Sequence, residues 1–106
     1  MATINKRLHG PAQVSNAAST KYTVPGATRA VIRHIHVQNP SGSAVTFTMS
    51  IGADAAGTRI FGALSIPATS ERSFWGPYTL EAAEIIQAFA GTTLVLTLTI
   101  DGQEIS

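Results

Sequence analysis

Cysteine is absent from this chain of 106 residues, which excludes disulfides and thiolate metal sites. Charge is nearly as scarce. Lys and Arg number 7 and Asp and Glu 6, or 12% of the chain, against a usual share of roughly 25%. The net charge is +1 and no Lys/Arg run occurs, so there is no electrostatic basis for binding nucleic acid or an anionic membrane. No apolar run approaches the roughly 20 residues that cross a bilayer. The opening MATINKRLHGPAQ lacks the apolar centre of a signal peptide. No segment keeps a helical period over any length.

These absences leave a chain of one-domain size that is 44% hydrophobic and has few charges to solubilise its exterior. A surface of Ser, Thr, Ala and Gly is weakly repelled from copies of itself. The expectation is a protein whose outside is covered by neighbours, itself included.

What is present is period-two alternation. In Ala44 to Ile51, Val45, Phe47, Met49 and Ile51 face one way while Ala44, Thr46, Thr48 and Ser50 face the other, the pattern of a half-buried strand. Ala30 to Gln38 (AVIRHIHVQ) reads as a second strand, and Asn39-Pro40-Ser41-Gly42-Ser43 between them is turn chemistry. The two read as a hairpin to which the other strands are added. In the first strand the odd positions Val31, Ile35 and Val37 look inward, and the even face carries His34 and His36.

Other strands are expected at Ser19–Pro25, Arg59–Phe61, Ala63–Ile66, Thr69–Trp75, Tyr78–Leu80, Glu84–Ala90 and Thr93–Asp101. Pro25-Gly26, the loop GADAAGT at 52–58, Gly76-Pro77, the turn Glu81-Ala82-Ala83 and Asp101-Gly102 separate them. The stretch around Glu84–Ala90 has a short helix as its alternative. In the last strand Leu94, Leu96, Leu98 and Ile100 alternate with Thr93, Val95, Thr97, Thr99 and Asp101. Seven or eight short strands with turns about every ten residues mark an all-β fold, an antiparallel β-sandwich of immunoglobulin-like or jelly-roll-like type. Phe47, Met49, Leu96 and Leu98 are expected to meet in its core. Residues 1–17 are irregular and read as an N-terminal arm, with the sandwich domain at 18–106.

The chemistry is sparse. His34 and His36, two apart on a strand, share a face and could ligate a metal if further ligands converged. A cupin-like metalloenzyme would need a distant third histidine, and the only other one is His9. No serine sits in a Gly-x-Ser-x-Gly elbow, and Gly52 and Gly57 lack the Lys that comes after a phosphate loop. No catalytic residue, cofactor or metal is therefore assigned. Phe74-Trp75-Gly76-Pro77-Tyr78 holds residue types enriched at interfaces, and Trp75 with Tyr78 could also stack on sugars. The candidate interface residues are Lys6, Arg7, Leu8, His34, His36, Trp75 and Tyr78.

The stretches YTVPGATRAVIRHIHVQNPSGSAVTFTMSIGADAAGTRIF, WGPYTLEAAEIIQAFAG and LTLTI together resemble a family of small β-sandwich virion proteins of tailed bacteriophages. The resemblance covers most of Lys21 to Ile100. Family members carry Pro-Ala-Gly where this chain has Pro25-Gly26-Ala27, and a Gly in the turn at Ala82-Ala83. The resemblance implies a non-enzymatic structural role in the particle and transfers no active-site residue. On it rests the expectation of a capsid decoration protein, assembled in the host cytoplasm. It would form a homo-oligomer, a trimer by preference, and bind the major capsid protein. A tail or baseplate component and a module for host-surface glycan are the alternatives.

Overall fold

The structure, a computed structural model, describes residues 2–106. Eight strands make up the fold, with no helix among the described residues: β1 (Thr3–Gln13), β2 (Ser19–Thr23), β3 (Arg29–Asn39), β4 (Val45–Ile51), β5 (Arg59–Ile66), β6 (Ser70–Leu80), β7 (Ile85–Ala90) and β8 (Thr97–Ile105). They form two four-stranded sheets, ordered β1-β8-β3-β6 and β2-β7-β4-β5, and the pairings within them are antiparallel.

The pairs nest: β4 with β5, β3 with β6, β2 with β7, β1 with β8. The chain is thus one long hairpin, with its tip at residues 52–58, rolled so that alternate segments fall in opposite sheets. That is jelly-roll topology, and it decides between the two sandwich types. The ends of the chain lie side by side, Ala2 and Ser106 exchanging both backbone hydrogen bonds at 2.9 Å.

The core between the sheets holds Val24, Ile32, Ile35, Val37, Phe47, Met49, Ile66, Leu80, Ile86, Leu96, Leu98 and Ile100. The four residues expected to meet there, Phe47, Met49, Leu96 and Leu98, are all fully buried. Each such side chain contributes roughly 1.5–3 kcal/mol by leaving water.

Several expectations are corrected. β3 and β4 are not a hairpin: they lie in different sheets. The segment between them is a crossover held by Asn39. This fully buried side chain donates from Nδ2 to the carbonyls of Ser43 (2.8 Å), Ile66 (3.0 Å) and Pro67 (3.2 Å), while its Oδ1 accepts from the Ser41 amide and hydroxyl. Nor do the inward residues of β3 stay odd-numbered. Ala30 and Ile32 are buried, then Ile35 and Val37, because the register shifts between Ile32 and His34 on both sides of the strand. Such a bulge inserts one residue and turns the subsequent side chains over.

Over Thr3–Gln13 the expected arm is an edge strand of the sandwich, paired with β8. Two register shifts, at Arg7/His9 and His9/Ala12, break its alternation and hide it from a period-two reading. β6 runs unbroken through Gly76-Pro77, a cis peptide bond, and β5 joins two expected pieces. The last strand starts at Thr97, not Thr93, and passes through Gly102 to Ile105. Gly102 is a close-approach position rather than a turn, since a Cβ there would collide with the Val31 carbonyl oxygen. Leu94 falls outside the strand, with φ of 55° and 58% exposure.

The tip loop is fastened to the outside of its sheet. Asp54 accepts from Ser50 Oγ (2.8 Å) and from Arg59 Nε (3.0 Å) and Nη2 (3.1 Å), and its amide donates to Gln87 Oε1. These bonds from Arg59 and Ser50 hold the Asp54 carboxyl below its usual pKa.

Candidate functional site

The outer face of sheet β1-β8-β3-β6 is built by alternation from the inward row of half-buried Phe74 and fully buried Ile35 and Ile100. One residue further along, Trp75, His34 and Asp101 pair across β6, β3 and β8, and Arg7 of β1 faces Asp101. The Trp75 indole is 72% exposed and stacks on the His34 ring, with centroids 4.1 Å apart and planes 20° from parallel. Aromatic faces at such separations attract beyond their buried area. His34 Nδ1 is 3.9 Å from Asp101 Oδ2, too far for a hydrogen bond, and its Nε2 is buried without a partner.

The next outward pair is His36 and Ser73, then Gln38 and Glu71. His36 is held at both nitrogens, by Ser73 Oγ at 3.0 Å and Glu71 Oε2 at 3.1 Å. Glu71 and Gln38 also line an open cleft of about 550 Å³ with Asn39, Pro40, Thr69 and Ser70. His34 and His36 share a face as the sequence implied, with rings 6.1 Å apart. No group of three or more His, Asp or Glu among the described residues is placed to hold a metal ion.

The other nominated residues scatter. Tyr78 pairs with buried Ile32 and packs on the core, so it lies on the face opposite Trp75 and the two make no joint platform. Leu8 is itself core, 7% exposed. Lys6 pairs with Glu104 at 3.4 Å. Glu104 also accepts from the Tyr22 hydroxyl, and burial together with that bond raises the Tyr22 pKa. This trio ties β2 of one sheet to β8 and β1 of the other.

A second surface was missed. The loops at 14–18 (VSNAA), 40–44 (PSGSA), 67–69 (PAT) and 91–96 (GTTLVL) all gather at one end of a molecule about 46 Å long, and none contains a charged residue. Backbone hydrogen bonds from Thr69 to Ser41 and from Leu94 to Val14 tie them in pairs. Leu94 stands exposed among them. The opposite end holds Asp54, Glu81 and Glu84. Each loop's lack of charge is plain in the sequence, but only the nested strand order puts the four together.

All four sheet edges are irregular. β1 and β6 carry Gly10-Pro11 and Gly76-Pro77 beside register shifts, β2 shifts at Thr20/Tyr22, and β5 shifts twice, around Ala63 with φ of 49°. Bulges and prolines of this kind block strand-to-strand association.

No family model matches the chain, and no curated protein matches it. Among solved structures, one titled "Structure of infectious bursal disease virus Gx strain" is similar, with a TM-score of 0.47 and 11% identity over 97% of this chain. The chain spans 31% of the length of that one.

Proposed function

We propose that the protein is a non-enzymatic structural component of a bacteriophage virion, a decoration protein that seats on the capsid lattice as a homo-oligomer. The observation that carries this reading is the uncharged end. Four loops without a single charge, with exposed Leu94 among them, can be buried against protein without desolvating an ion, the costliest part of covering a surface. The irregular edges direct contacts to this end and to the sheet faces rather than to strand addition. The resemblance to small virion proteins of tailed phages supports the same role. The jelly roll is an architecture that capsid proteins use, and it is shared with lectins and cupins.

The test is electron microscopy of particles carrying the wild-type chain and Leu94→Asp. The wild type should decorate the shell, and the variant should fold but leave it bare. Density on the tail would move the same docking chemistry to another address. Absence from purified particles, or full occupancy by Leu94→Asp, overturns the proposal. Sedimentation of the free protein checks the oligomer, with a trimer expected.

A further inference from the structure

The geometry points to a binding strip for a neutral oligosaccharide on the outer face of sheet β1-β8-β3-β6, from Trp75 along β6 to the cleft beside Glu71. The indole and the polar row beside it are separate from the docking end, and the strip meets that end only at the cleft, which Pro40 and Thr69 help to line.

The first is the indole. A 72% exposed tryptophan is costly to leave in water, and here it is also set in place. One face rests on His34, and the other meets no aromatic or cationic partner among the described residues. An apolar face held open and oriented, with a polar N–H at its rim, suits the C–H face of a sugar ring.

The second is the polar row beside the indole. Outward residues recur every second position, so Ser73 and Glu71 continue the line from Trp75 at about 6.7 Å per step. His36 and Gln38 flank them on β3. Ser73, Glu71 and Gln38 offer a hydroxyl, a carboxylate and an amide, the mix of donors and acceptors that hydroxyl groups require, while the His36 imidazole, engaged at both nitrogens, holds Ser73 and Glu71 in place. Glu71 and His36 are already fixed by their mutual contact and by Ser73, so little side-chain order is lost on binding.

The third is the end of the line. Glu71 and Gln38 belong both to the strip and to the polar cleft of about 550 Å³ that continues it. From Trp75 to Glu71 is about 13 Å along the strand, the reach of a short oligosaccharide rather than one ring. Charge selects the class. Asp101 and Glu71 flank the strip; of the cations near it, Arg7 sits opposite Asp101 on β1 with Nη1 donating to the Gly10 carbonyl at 3.4 Å, and Arg33 on β3 is engaged with Gln103 at 3.0 Å. An acidic sugar would meet carboxylates, so the ligand is neutral.

Trp75 is the chain's single tryptophan, so intrinsic fluorescence reports this site alone. Titration with neutral trisaccharides of glucose, galactose and N-acetylglucosamine, beside a sialylated one, should give saturable emission changes with at least one neutral sugar and none with the anionic one. By calorimetry, Trp75→Ala should weaken binding roughly tenfold or more, and Glu71→Gln severalfold, with both variants melting as the wild type does. No saturable response to any neutral trisaccharide, or binding that survives Trp75→Ala, overturns the site. A preference for the anionic sugar overturns its neutral class.

Discussion

The Asn39 side-chain amide donates to the backbone carbonyl of Ile66 at 3.0 Å, fastening the turn after β3 to the end of β5. With its bonds to Ser43 and Pro67, this one buried group holds two loops of the uncharged end. Asn39→Ala removes the donor and leaves buried carbonyls unpaired, at a cost of about 3 kcal/mol. Asn39→Asp should cost at least as much, since a carboxylate cannot donate to carbonyls. Urea unfolding measures both, with exposed Asn16→Ala expected to be neutral.

Gly102→Ala is expected to be more damaging than its chemistry suggests. The new methyl would overlap the Val31 carbonyl oxygen and lie 3.0 Å from Leu8 Cδ1, so β8 must move away from β3 in the middle of the sheet. The cost is about 3 kcal/mol, read from urea midpoints. Gly42→Ala, with nothing within 4 Å, is the control and should change stability by less than about 0.5 kcal/mol.

Leu94 and Leu96 read alike in the sequence and should behave in opposite ways. Leu96→Ala empties a fully buried position and should cost roughly 2–5 kcal/mol. Leu94→Ala should leave the unfolding midpoint where it is, because the side chain is 58% exposed. Leu94→Gly should stabilise by about 0.5–1 kcal/mol, since glycine adopts the positive φ without a Cβ penalty.

Acid should weaken the fold through His9. Burial first, then the charge of Lys21, holds this half-buried imidazole below its usual pKa, against a smaller opposing effect of a hydrogen bond with the Lys21 backbone. The unfolded chain therefore takes up the proton at higher pH than the folded one. The contribution to stability is complete above the unfolded value of about 6.5 and is lost as pH falls through the folded value. Urea midpoints should fall between neutral pH and about pH 5, and His9→Gln should flatten that slope.

The elements that were legible in the sequence are those that keep strict alternation. β4 pairs with β7 without a shift from Phe47 to Ile51, and Val45, Phe47 and Met49 are buried as read, while Thr48 and Ser50 on its other face are covered too. The signal failed where a residue is inserted. The bulge at Arg33 puts odd-numbered Ile35 and Val37 on the same inward face as even-numbered Ile32, and two shifts in β1 make a paired strand look like an arm with Leu8 at its surface. Turn residues at 39–43 show that the chain reverses but not whether it changes sheets; the buried amide of Asn39 decides that through contacts far along the chain. At the candidate site, counting by twos rightly placed His34 with His36. Nearness in sequence wrongly grouped Trp75 with Tyr78, which an odd separation sends to opposite faces.

The mutual backbone bonds of Ala2 and Ser106 have a practical consequence. Both ends leave the molecule together, at the pole remote from the uncharged loops. A peptide or reporter appended to either one projects away from the surface that we assign to docking, so cargo can be displayed without obstructing the seat. A short linker joining the two ends, with new ends opened in the 52–58 loop, preserves every strand pairing and gives a circularly permuted scaffold.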